Sequence, residues 1–454
     1  MVSVIAYVCL SDLHAGAPAG LFSPRDGLPD VAGALARALG ALLSDGRGEP
    51  RLVLLGDTMD LQFSEWGTAA GEAARILAAL RDAAAWRGDI LATAGNHDHA
   101  LWTDARHGLE VEPKARLQTH PVHGTPAFDA RGAGRARLLD RAAREAGFAG
   151  AELRYPNVGL RAGGRAVLLH HGHFHEAAYR AVTRLRDVLA EGPRPPPTAA
   201  TLAAENAGWI DFAWSGLGDA AGLGREAEDL YQRLLTPTGF RRALTRWSDI
   251  ATDAIADRVP GGALPEPRAA IGAATRAILG ATLGRMREDE RHHEVDALPP
   301  DGRRGLTWYL GAPVAAQVAE ELDAPPAALT YVCGHTHKPY AERIAAPGLP
   351  VPVEVLNSGG WTLNGPRLDN AEGAGVVLID DAMNAVLLRA VGTPRNGVAP
   401  EPRVEGFGSG DGGAFRRDVE ARLEGSRAAW TALSEAAAAH YAAIQADLLG
   451  RTDA

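Results

Sequence analysis

The sequence contains little cysteine, no excess of positive charge and no apolar stretch of membrane-spanning length. Among its 454 residues only Cys9 and Cys333 are cysteines, which excludes a disulfide framework and a zinc site made of four cysteines. A spanning helix needs about 18 consecutive apolar residues, and no stretch reaches this length. With 46 Lys and Arg against 56 Asp and Glu, the net charge of −10 argues against a general nucleic-acid coat, which requires a basic face.

The remaining composition is that of an ordinary globular protein, with 46% hydrophobic and 22% charged residues. The length fits about three domains of ordinary size, or one large domain with insertions. No basic leader precedes the first apolar stretch, so we expect no signal peptide and a cytoplasmic location. The 15 histidines are the unusual feature of the composition.

The first 100 residues alternate between strand-like apolar segments and segments with helical spacing. Strands are predicted at residues 2–10, 51–55 and 90–93, and helices at 31–43 and 69–86. Such alternation is typical of a parallel sheet covered by helices. In sheets of this kind the loops after the strands gather at one edge, where ligands bind.

The pattern changes after residue 100. Residues 101–134 are rich in His, Pro, Gly and Arg and are predicted to form a long polar loop. Nearby histidines are expected to be exposed to solvent, namely His99, His107, His120 and His123. A helix is predicted at 135–146, followed by a hairpin of strands at 153–160 and 166–169. Residues 175–328 are mostly helical in pattern and predict an inserted cap.

Strands resume after this insertion, at 329–333, 351–356, 376–380 and 385–391. The Pro- and Gly-rich residues 392–413 are predicted to be a linker. Residues 415–449 show one Ala-rich helical pattern. This pattern predicts an amphipathic helix that either packs on its own chain or joins copies of the chain in a homo-oligomer.

Five of the predicted strands end in carboxylate, amide or imidazole side chains. These are Asp12 and His14, Asp57 and Asp60, Asn96 to Asp98, His170 to His173, and His335 with His337. Residues two apart in an extended segment point to the same side, so one strand end can supply two ligands. Carboxylate, amide and imidazole together suit first-row divalent metals such as Mn, Fe or Zn. Two such ions about 3.5–4 Å apart can stabilise both the attacking and the leaving oxygen of phosphoryl transfer.

The ordered blocks D-x-H, G-D-x-x-D, G-N-H-D, H-G-H and G-H-x-H resemble those of the calcineurin-like metallophosphoesterases. The resemblance covers residues 1–175 and about 328–392. It implies an α/β fold in the form of a four-layer α/β/β/α sandwich. The resemblance does not cover the inserted helical cap and the C-terminal helix, which are predicted from the sequence pattern. The expected division is a core at 1–175 and 329–392, a cap at 176–328, and a linker with the C-terminal helix at 393–454.

The resemblance also implies a role for each matching residue. Asp12, His14 and His337 would hold one divalent metal, Asn96, His171 and His335 would hold a second, and Asp57 would bridge the two. A hydroxide between the two metals would be the nucleophile. His97 would face the substrate as general acid, and Asp60 would orient it, with Asp98 as a second candidate for that task. Gly56, Gly95 and Gly334 would let the backbone approach the ions.

Three further positions near the predicted centre have alternative assignments. His170 and His171 are adjacent and point to opposite faces of an extended segment, so one of them is the expected ligand. His171 is preferred, because it precedes Gly172 and His173 as the family's ligand does. His173 and Asn357 are candidates for substrate binding, and packing is the alternative for both.

The predicted reaction is hydrolysis of a phosphomonoester or phosphodiester, with a small-molecule or lipid-linked phosphoester as the preferred substrate. A nuclease using the same two metals is an alternative, and it would need a basic groove lined with aromatic residues. The net charge disfavours nucleic acid as a partner. A non-catalytic scaffold on a phosphoesterase fold is the alternative from a different class, and loss of ligands would signal it.

Overall fold

The computed structural model describes most of the chain except for much of the predicted cap. The described residues are 4–45, 47–114, 122–129, 132–189, 195–216, 245, 248–249, 252–253, 268–269, 272–273, 296–365, 371–407 and 411–453. His120 lies outside them. No helix of these residues combines the length and the apolar character needed to cross a membrane.

The described residues form twelve strands that belong to two sheets. In chain order they are β1 (Ile5–Leu10), β2 (Arg51–Leu55), β3 (Ile90–Thr93), β4 (Ala151–Leu153), β5 (Asn157–Ala162), β6 (Arg165–His170), β7 (Ala328–Cys333), β8 (Tyr340–Ile344), β9 (Val353–Asn357), β10 (Gly373–Asp380), β11 (Ala385–Gly392) and β12 (Arg403–Glu405). The strand order is β12-β11-β10-β1-β2-β3-β4 in the larger sheet and β5-β6-β7-β9-β8 in the smaller.

Both sheets are mixed, and each contains a parallel centre. In the larger sheet β1, β2, β3 and β4 run parallel, while β10, β11 and β12 are antiparallel neighbours. In the smaller sheet β6, β7 and β9 run parallel, and β5 and β8 pair antiparallel at its edges. Because parallel strands end at a common edge, each sheet brings several strand-end loops together.

The two sheets share a buried apolar cluster. Cys9, Val53 and Leu55 of the larger sheet belong to the same cluster as Val167 and Val332 of the smaller sheet. The near-continuous apolar strands explain this packing, because strands covered on both faces cannot alternate apolar and polar residues. The shared cluster therefore packs the sheets against each other.

Nine α-helices are found within the described residues. They are α1 (Val31–Leu42), α2 (Trp66–Arg81), α3 (His99–Lys114), α4 (Arg137–Glu145), α5 (Ala181–Leu189), α6 (Ala199–Ile210), α7 (Pro300–Tyr309), α8 (Ala315–Glu321) and α9 (Asp411–Asp453). A second, larger cluster contains the alternate residues of the strands together with the apolar residues of these helices. Asp30 begins α1 by accepting hydrogen bonds from the N–H groups of Ala32 and Gly33, as expected of an N-cap aspartate.

The mixed α/β class and most of the predicted elements are confirmed. β2 and β3 have the predicted bounds, and α1, α2 and α4 lie close to theirs. The predicted hairpin is partly wrong, because residues 153–160 are not one strand. Their first part ends β4 in the larger sheet and the rest begins β5 in the smaller, with a cis Tyr155–Pro156 peptide between them. Strands β8 and β12 were not predicted.

The predicted loop at residues 101–134 is wrong over its first half, because α3 occupies His99–Lys114. Leu101, Trp102 and Ala105 of this helix are buried in the core, and this packing outweighs the weak helical signal of the His- and Gly-rich sequence. His99 is fully buried and bonds Asp211, so its predicted exposure is also wrong. His107 and His123 are exposed, as predicted.

The C-terminal helix α9 packs on its own chain. Its apolar residues Phe415, Trp430, Leu433 and Tyr441 are completely buried and belong to the larger cluster. At its polar surface Arg422 forms ion pairs with Asp418 of the same helix and with Asp45, just after α1. Intramolecular packing, one of the two alternatives for this helix, is therefore observed.

Candidate metal centre

The loops after β1, β2 and β7 adopt unusual backbone conformations. Positive φ angles are found at Asp12 (54°), His14 (45°), Asp57 (46°), His335 (73°) and His337 (58°). Left-handed conformations are unfavourable for residues with a Cβ atom, and when the rest of the fold imposes them they are concentrated at functional sites. Among the described residues only Met383 and Asn396 share this property without being glycine. The strained backbone therefore coincides with five of the seven predicted metal ligands.

These loops bring Asp12, His14 and His337 together in one buried group. His14 Nε2 lies 3.1 Å from His337 Nε2, and His337 Nε2 lies 3.2 Å from Asp12 Oδ1. One ligand atom from each residue fits within 4.8 Å of the others. This is the first of the two predicted sets, and its members come from strands of different sheets.

A second group contains Asn96, His171 and His335. His171 Nε2 lies 3.1 Å from Asn96 Oδ1 and 3.3 Å from His335 Nδ1. All three side chains are fully buried. Asn96 follows β3, His171 follows β6 and His335 follows β7, so this group also joins the ends of strands from both sheets.

Asp57 lies between the two groups. Its Oδ1 accepts a hydrogen bond from the His97 backbone N–H at 2.8 Å. Its Oδ2 has no hydrogen-bond partner, although it lies 3.2 Å from His171 Nε2 and 3.7 Å from His14 Nε2. A buried carboxylate oxygen without a donor is costly unless a cation is close. The position of Oδ2 therefore fits a ligand shared by two cations.

The carboxylates and imidazoles of the buried centre shift each other's pKa values. Burial alone would raise the pKa of the Asp57 carboxyl, but His171, His97 and His14 together hold it well below its usual range. Burial would lower the pKa of His171, and Asp57 and Asp12 overcome this effect and raise it to about 9. Ionised carboxylates thus attract a positive charge, which either protons on the imidazoles or bound cations can supply. Carboxylate, amide and imidazole together form a donor set that fits a first-row divalent metal.

His97 lies beside this centre and is paired with Asp60. The His97 Nδ1 atom is 3.4 Å from Asp60 Oδ1, as expected if Asp60 orients it. Asp60 also binds His14, because its Oδ2 lies 3.2 Å from His14 Nδ1. His14, Asp60 and His97 form a further buried group with metal-ligand spacing. The His97 ring stands edge-on to Phe63, at 5.6 Å between ring centroids.

Asp98 has a different environment from Asp60. Its carboxylate accepts hydrogen bonds from the backbone N–H groups of Gly95, Asp57 and Thr58, at 2.7, 3.1 and 2.8 Å. Burial and the nearby Asp57 raise the pKa of Asp98 to about 6. These contacts tie the loop after β3 to the loop after β2, so Asp98 is placed to hold the loops and Asp60 is the better candidate for orienting His97.

Glycines permit the close packing of the strand-end loops. A Cβ atom added to Gly334 would overlap Ser11 Oγ and Asp12 Oδ2, and one added to Gly95 would overlap Asp57 Oδ1. The expected close approach of the backbone at these two positions is therefore present. Gly56 is a third such position, next to Gly95 and His171.

The structure also distinguishes His171 from His170. His171 belongs to the second group, whereas His170 points away from it, with its Nδ1 3.0 Å from Tyr331 Oη and in reach of the Gly172 N–H. His173 is fully buried and lies 3.1 Å from Tyr155 Oη. Asn357 donates to the Gly334 carbonyl at 2.8 Å and accepts from the Gly359 N–H at 2.8 Å. Substrate binding by His173 and Asn357 remains a prediction.

Two polar residues of this region were missed by the sequence reasoning. Glu176 Oε1 lies 2.8 Å from His335 Nε2, and Asn364 Oδ1 contacts His337 Nδ1. Neither belongs to a recognisable motif, although Glu176 follows the His-rich segment 170–175 directly. The position of Glu176 next to that segment was the one feature of the sequence that could have identified it.

A scan of the chain against models of known protein families gives no match, and no curated protein matches it. The class of site therefore rests on the residues themselves. They form a buried centre of carboxylate, amide and imidazole groups that could hold metal ions.

Proposed function

We propose that this protein is a metal-dependent phosphoesterase related to the calcineurin-like metallophosphoesterases. The five ordered blocks of the sequence support the relationship, and so does their convergence in the fold. Helices of the larger cluster pack on the sheet faces that are turned away from the shared sheet–sheet cluster. This packing supports a four-layer α/β/β/α core, interrupted by a helical cap and followed by α9.

The observation that carries the proposal is the pairing of two ligand groups around one unpartnered oxygen. Asp57 Oδ2 lies 3.7 Å from His14 Nε2, a member of the first group, and 3.2 Å from His171 Nε2, a member of the second. A single ion would not need two complete groups. Two divalent ions sharing a carboxylate would use all seven residues, and Mn, Fe and Zn are compatible with this donor set.

The metals would supply Lewis acidity, which activates water and neutralises charge on a phosphoryl group. The residues of the chain would hold these ions and position the reacting groups. His97, oriented by Asp60, would donate a proton to the leaving oxygen. Burial of the surrounding side chains would exclude bulk water and strengthen each electrostatic interaction.

The substrate class that fits this centre is a phosphomonoester or phosphodiester. The acidic net charge of −10 favours a small-molecule or lipid-linked phosphoester over nucleic acid, because a polyanion requires an extended basic surface.

The decisive experiment measures metal content and hydrolysis on the same sample. Purified protein loaded with Mn²⁺ should contain two ions per chain and should hydrolyse aryl phosphate mono- or diesters. The matched variant Asp57→Asn should weaken the binding of both ions and lose activity, because one carboxylate serves both groups.

Absence of hydrolysis together with fewer than one ion per chain would refute the proposal. Retention of one tightly held ion in Asp57→Asn would show instead that Asp57 serves a single metal.

A further inference from the structure

Each of the four histidines in the centre has its second ring nitrogen next to a hydrogen-bond acceptor. His14 Nδ1 lies 3.2 Å from Asp60 Oδ2, and His171 Nδ1 lies 2.9 Å from the Leu55 carbonyl oxygen. His337 Nδ1 contacts Asn364 Oδ1, and His335 Nε2 lies 2.8 Å from Glu176 Oε1. A carbonyl or an ionised carboxylate oxygen only accepts hydrogen bonds, so the ring nitrogen that faces it carries a hydrogen.

These acceptors determine which nitrogen of each ring is available to a metal. A neutral imidazole carries one hydrogen, and the nitrogen without it is the metal ligand. His14, His171 and His337 therefore present Nε2 to the centre, whereas His335 presents Nδ1. The short distances agree with this assignment, since His335 Nδ1, and not Nε2, lies 3.3 Å from His171 Nε2.

Glu176 is itself held in place by the segment that begins the predicted cap. It lies between the short turns His173–His175 and Ala178–Arg180 and is buried. Arg180 donates to the carbonyl oxygens of Glu176 and His175, at 3.2 and 3.0 Å. The Arg180 guanidinium lies 4.1 Å from the centre of the Trp308 ring in α7. The backbone of Glu176 is therefore linked through Arg180 to a helix in the last part of the predicted insertion, and its carboxylate faces His335.

Asn364 faces the first group, whereas Glu176 faces the second. Asn364 follows β9 by several residues, and its side chain contacts His337 but none of the second group in the bonds that the structure records. Glu176 correspondingly contacts His335, a member of the second group. Each metal group thus has one orienting side chain that lies outside the recognised motifs.

We propose that Glu176 and Asn364 are positioning residues for separate metal ions. Glu176 orients His335 and serves the ion held with Asn96 and His171, and Asn364 orients His337 and serves the ion held with Asp12 and His14. This inference rests on the proposed two-metal function. Through Glu176 the start of the inserted helical segment becomes part of the metal centre.

The test is a calorimetric titration of the metal-free full-length protein with Mn²⁺. Glu176→Ala should lower the affinity for one ion by about 10- to 100-fold and leave the other unchanged, as for loss of an orienting partner of a metal-bound histidine. Asn364→Ala should do the same to the other ion, so the double variant should bind both ions weakly. Glu176→Gln should recover part of the affinity, because its amide oxygen still accepts a hydrogen bond.

The matched control is Glu205→Ala, which removes a partly buried carboxylate of α6 that pairs with Arg186 away from the centre. Its two Mn²⁺ affinities should equal those of the wild type.

A spectroscopic measurement separates orientation from general structural damage. In the Zn²⁺-loaded protein, long-range ¹H–¹⁵N correlations of the histidine rings should show three ligands bound through Nε2 and one, His335, bound through Nδ1. In Glu176→Ala the Nε2–H signal of that ring should shift, because its hydrogen bond is lost.

Three outcomes would overturn the inference alone: unchanged affinities in Glu176→Ala, weakening of the same ion by both variants, or binding of all four rings through Nε2. If the wild-type protein itself bound fewer than two ions, the proposed function would fail along with the inference.

Discussion

Asp60 divides its two carboxylate oxygens between two histidines of different predicted roles. One oxygen faces His14, a predicted metal ligand, and the other faces His97, the predicted acid. Asp57 is shared in a similar way, with one oxygen on the His97 backbone and the other in the metal centre. Burial would raise the pKa of the Asp60 carboxyl, yet His97 and His14 hold it well below its usual range. At the scale of single residues, the predicted metal ligand His14 and the predicted acid His97 therefore share the carboxylate of Asp60.

Replacement of His97 tests proton transfer and metal binding separately. We expect His97→Ala to lower turnover of an aryl phosphate by about 10²- to 10⁴-fold, the usual contribution of a general acid. Two metal ions should remain bound, because the His97 ring belongs to neither ligand group. Turnover and metal content measured on the same preparation check this expectation.

His107→Ala is the control for the loss of a histidine, since this side chain is exposed. A metal content reduced to one ion in His97→Ala would identify the ring of His97 as a ligand.

At the scale of elements, the strand-end loops are held by their mutual contacts. The His335 backbone N–H donates to Asp12 Oδ1 at 3.1 Å, which joins the loop after β7 to the loop after β1. The Asp12 and His14 backbone N–H groups donate to the Gly56 and Asp57 carbonyls, at 3.1 and 2.9 Å. Each loop thus holds its neighbour in place. These hydrogen bonds offset the free-energy cost of the left-handed backbone conformations.

Gly334→Ala tests the closeness of these loops. The added methyl group would overlap Ser11 and Asp12, so we expect the free energy of unfolding to fall by about 1–3 kcal/mol. Mn²⁺ affinity should fall with it, because Asp12 must move. Chemical denaturation and metal titration provide the two measurements.

Gly425→Ala is the matched control, because a methyl group at this exposed position of α9 meets no neighbour. It should stabilise the protein by about 0.5–1 kcal/mol. Equal behaviour of the two variants would contradict the close packing at Gly334.

The buried His175, in the turn His173–His175, is expected to make the stability of the protein depend on pH. Burial, reinforced by Arg180 and His171, lowers the pKa of His175 from 6.5 to about 3, so this ring is neutral in the folded protein. The unfolded chain takes up a proton below about pH 6.5 that the folded chain does not. The contribution of His175 to stability is therefore complete above that pH and is lost as the pH falls, by about 1.4 kcal/mol per pH unit.

The measurement compares the wild type with His175→Gln, both without metal, by denaturation between pH 7.5 and about pH 4. Glutamine can replace the contact between His175 Nε2 and Tyr331 Oη but does not titrate. The difference in unfolding free energy between the two proteins should shrink as the pH falls. Parallel pH profiles would show that the pKa of His175 is the same in the folded and the unfolded chain.

At the scale of the whole molecule, the first and last helices, α1 and α9, pack against each other. α9 packs on α1 and on β11, so the C-terminal residues complete the core of the larger sheet. The described first part of the predicted insertion contacts the core as well, because Asp211 accepts hydrogen bonds from His99 and Thr103 of α3. Parts distant in sequence are therefore expected to unfold together.

Trp430→Ala tests whether α9 belongs to the cooperative core. This indole is fully buried, and its removal should lower the unfolding free energy by about 3–5 kcal/mol in a single transition. Chemical denaturation gives the free energy, and light scattering gives the mass.

A changed mass with unchanged stability would indicate instead that α9 joins copies of the chain. Trp430→Phe, which keeps most of the buried volume, should lose much less stability.

The extent of prediction from sequence differed between parts of the molecule. Continuous apolar strands such as β2 and β3 were found with correct bounds, because their signal is local. The helix α3 was missed, since its stability depends on burial of Leu101 and Trp102 against residues far along the chain. The edge strands β8 and β12 were missed because partly exposed edge strands have a weak pattern.

The sequence by itself determined the residue types of the centre, their order and their placement at strand ends, because these properties are local to each block. The tertiary structure alone shows that His171 joins the centre while His170 contacts Tyr331, and that Asp60 lies 3.4 Å from His97. It alone shows that Glu176 and Asn364 contact His335 and His337. These contacts join residues from different strands and different sheets. Their distances depend on how the sheets pack, and no local pattern in the chain encodes that packing.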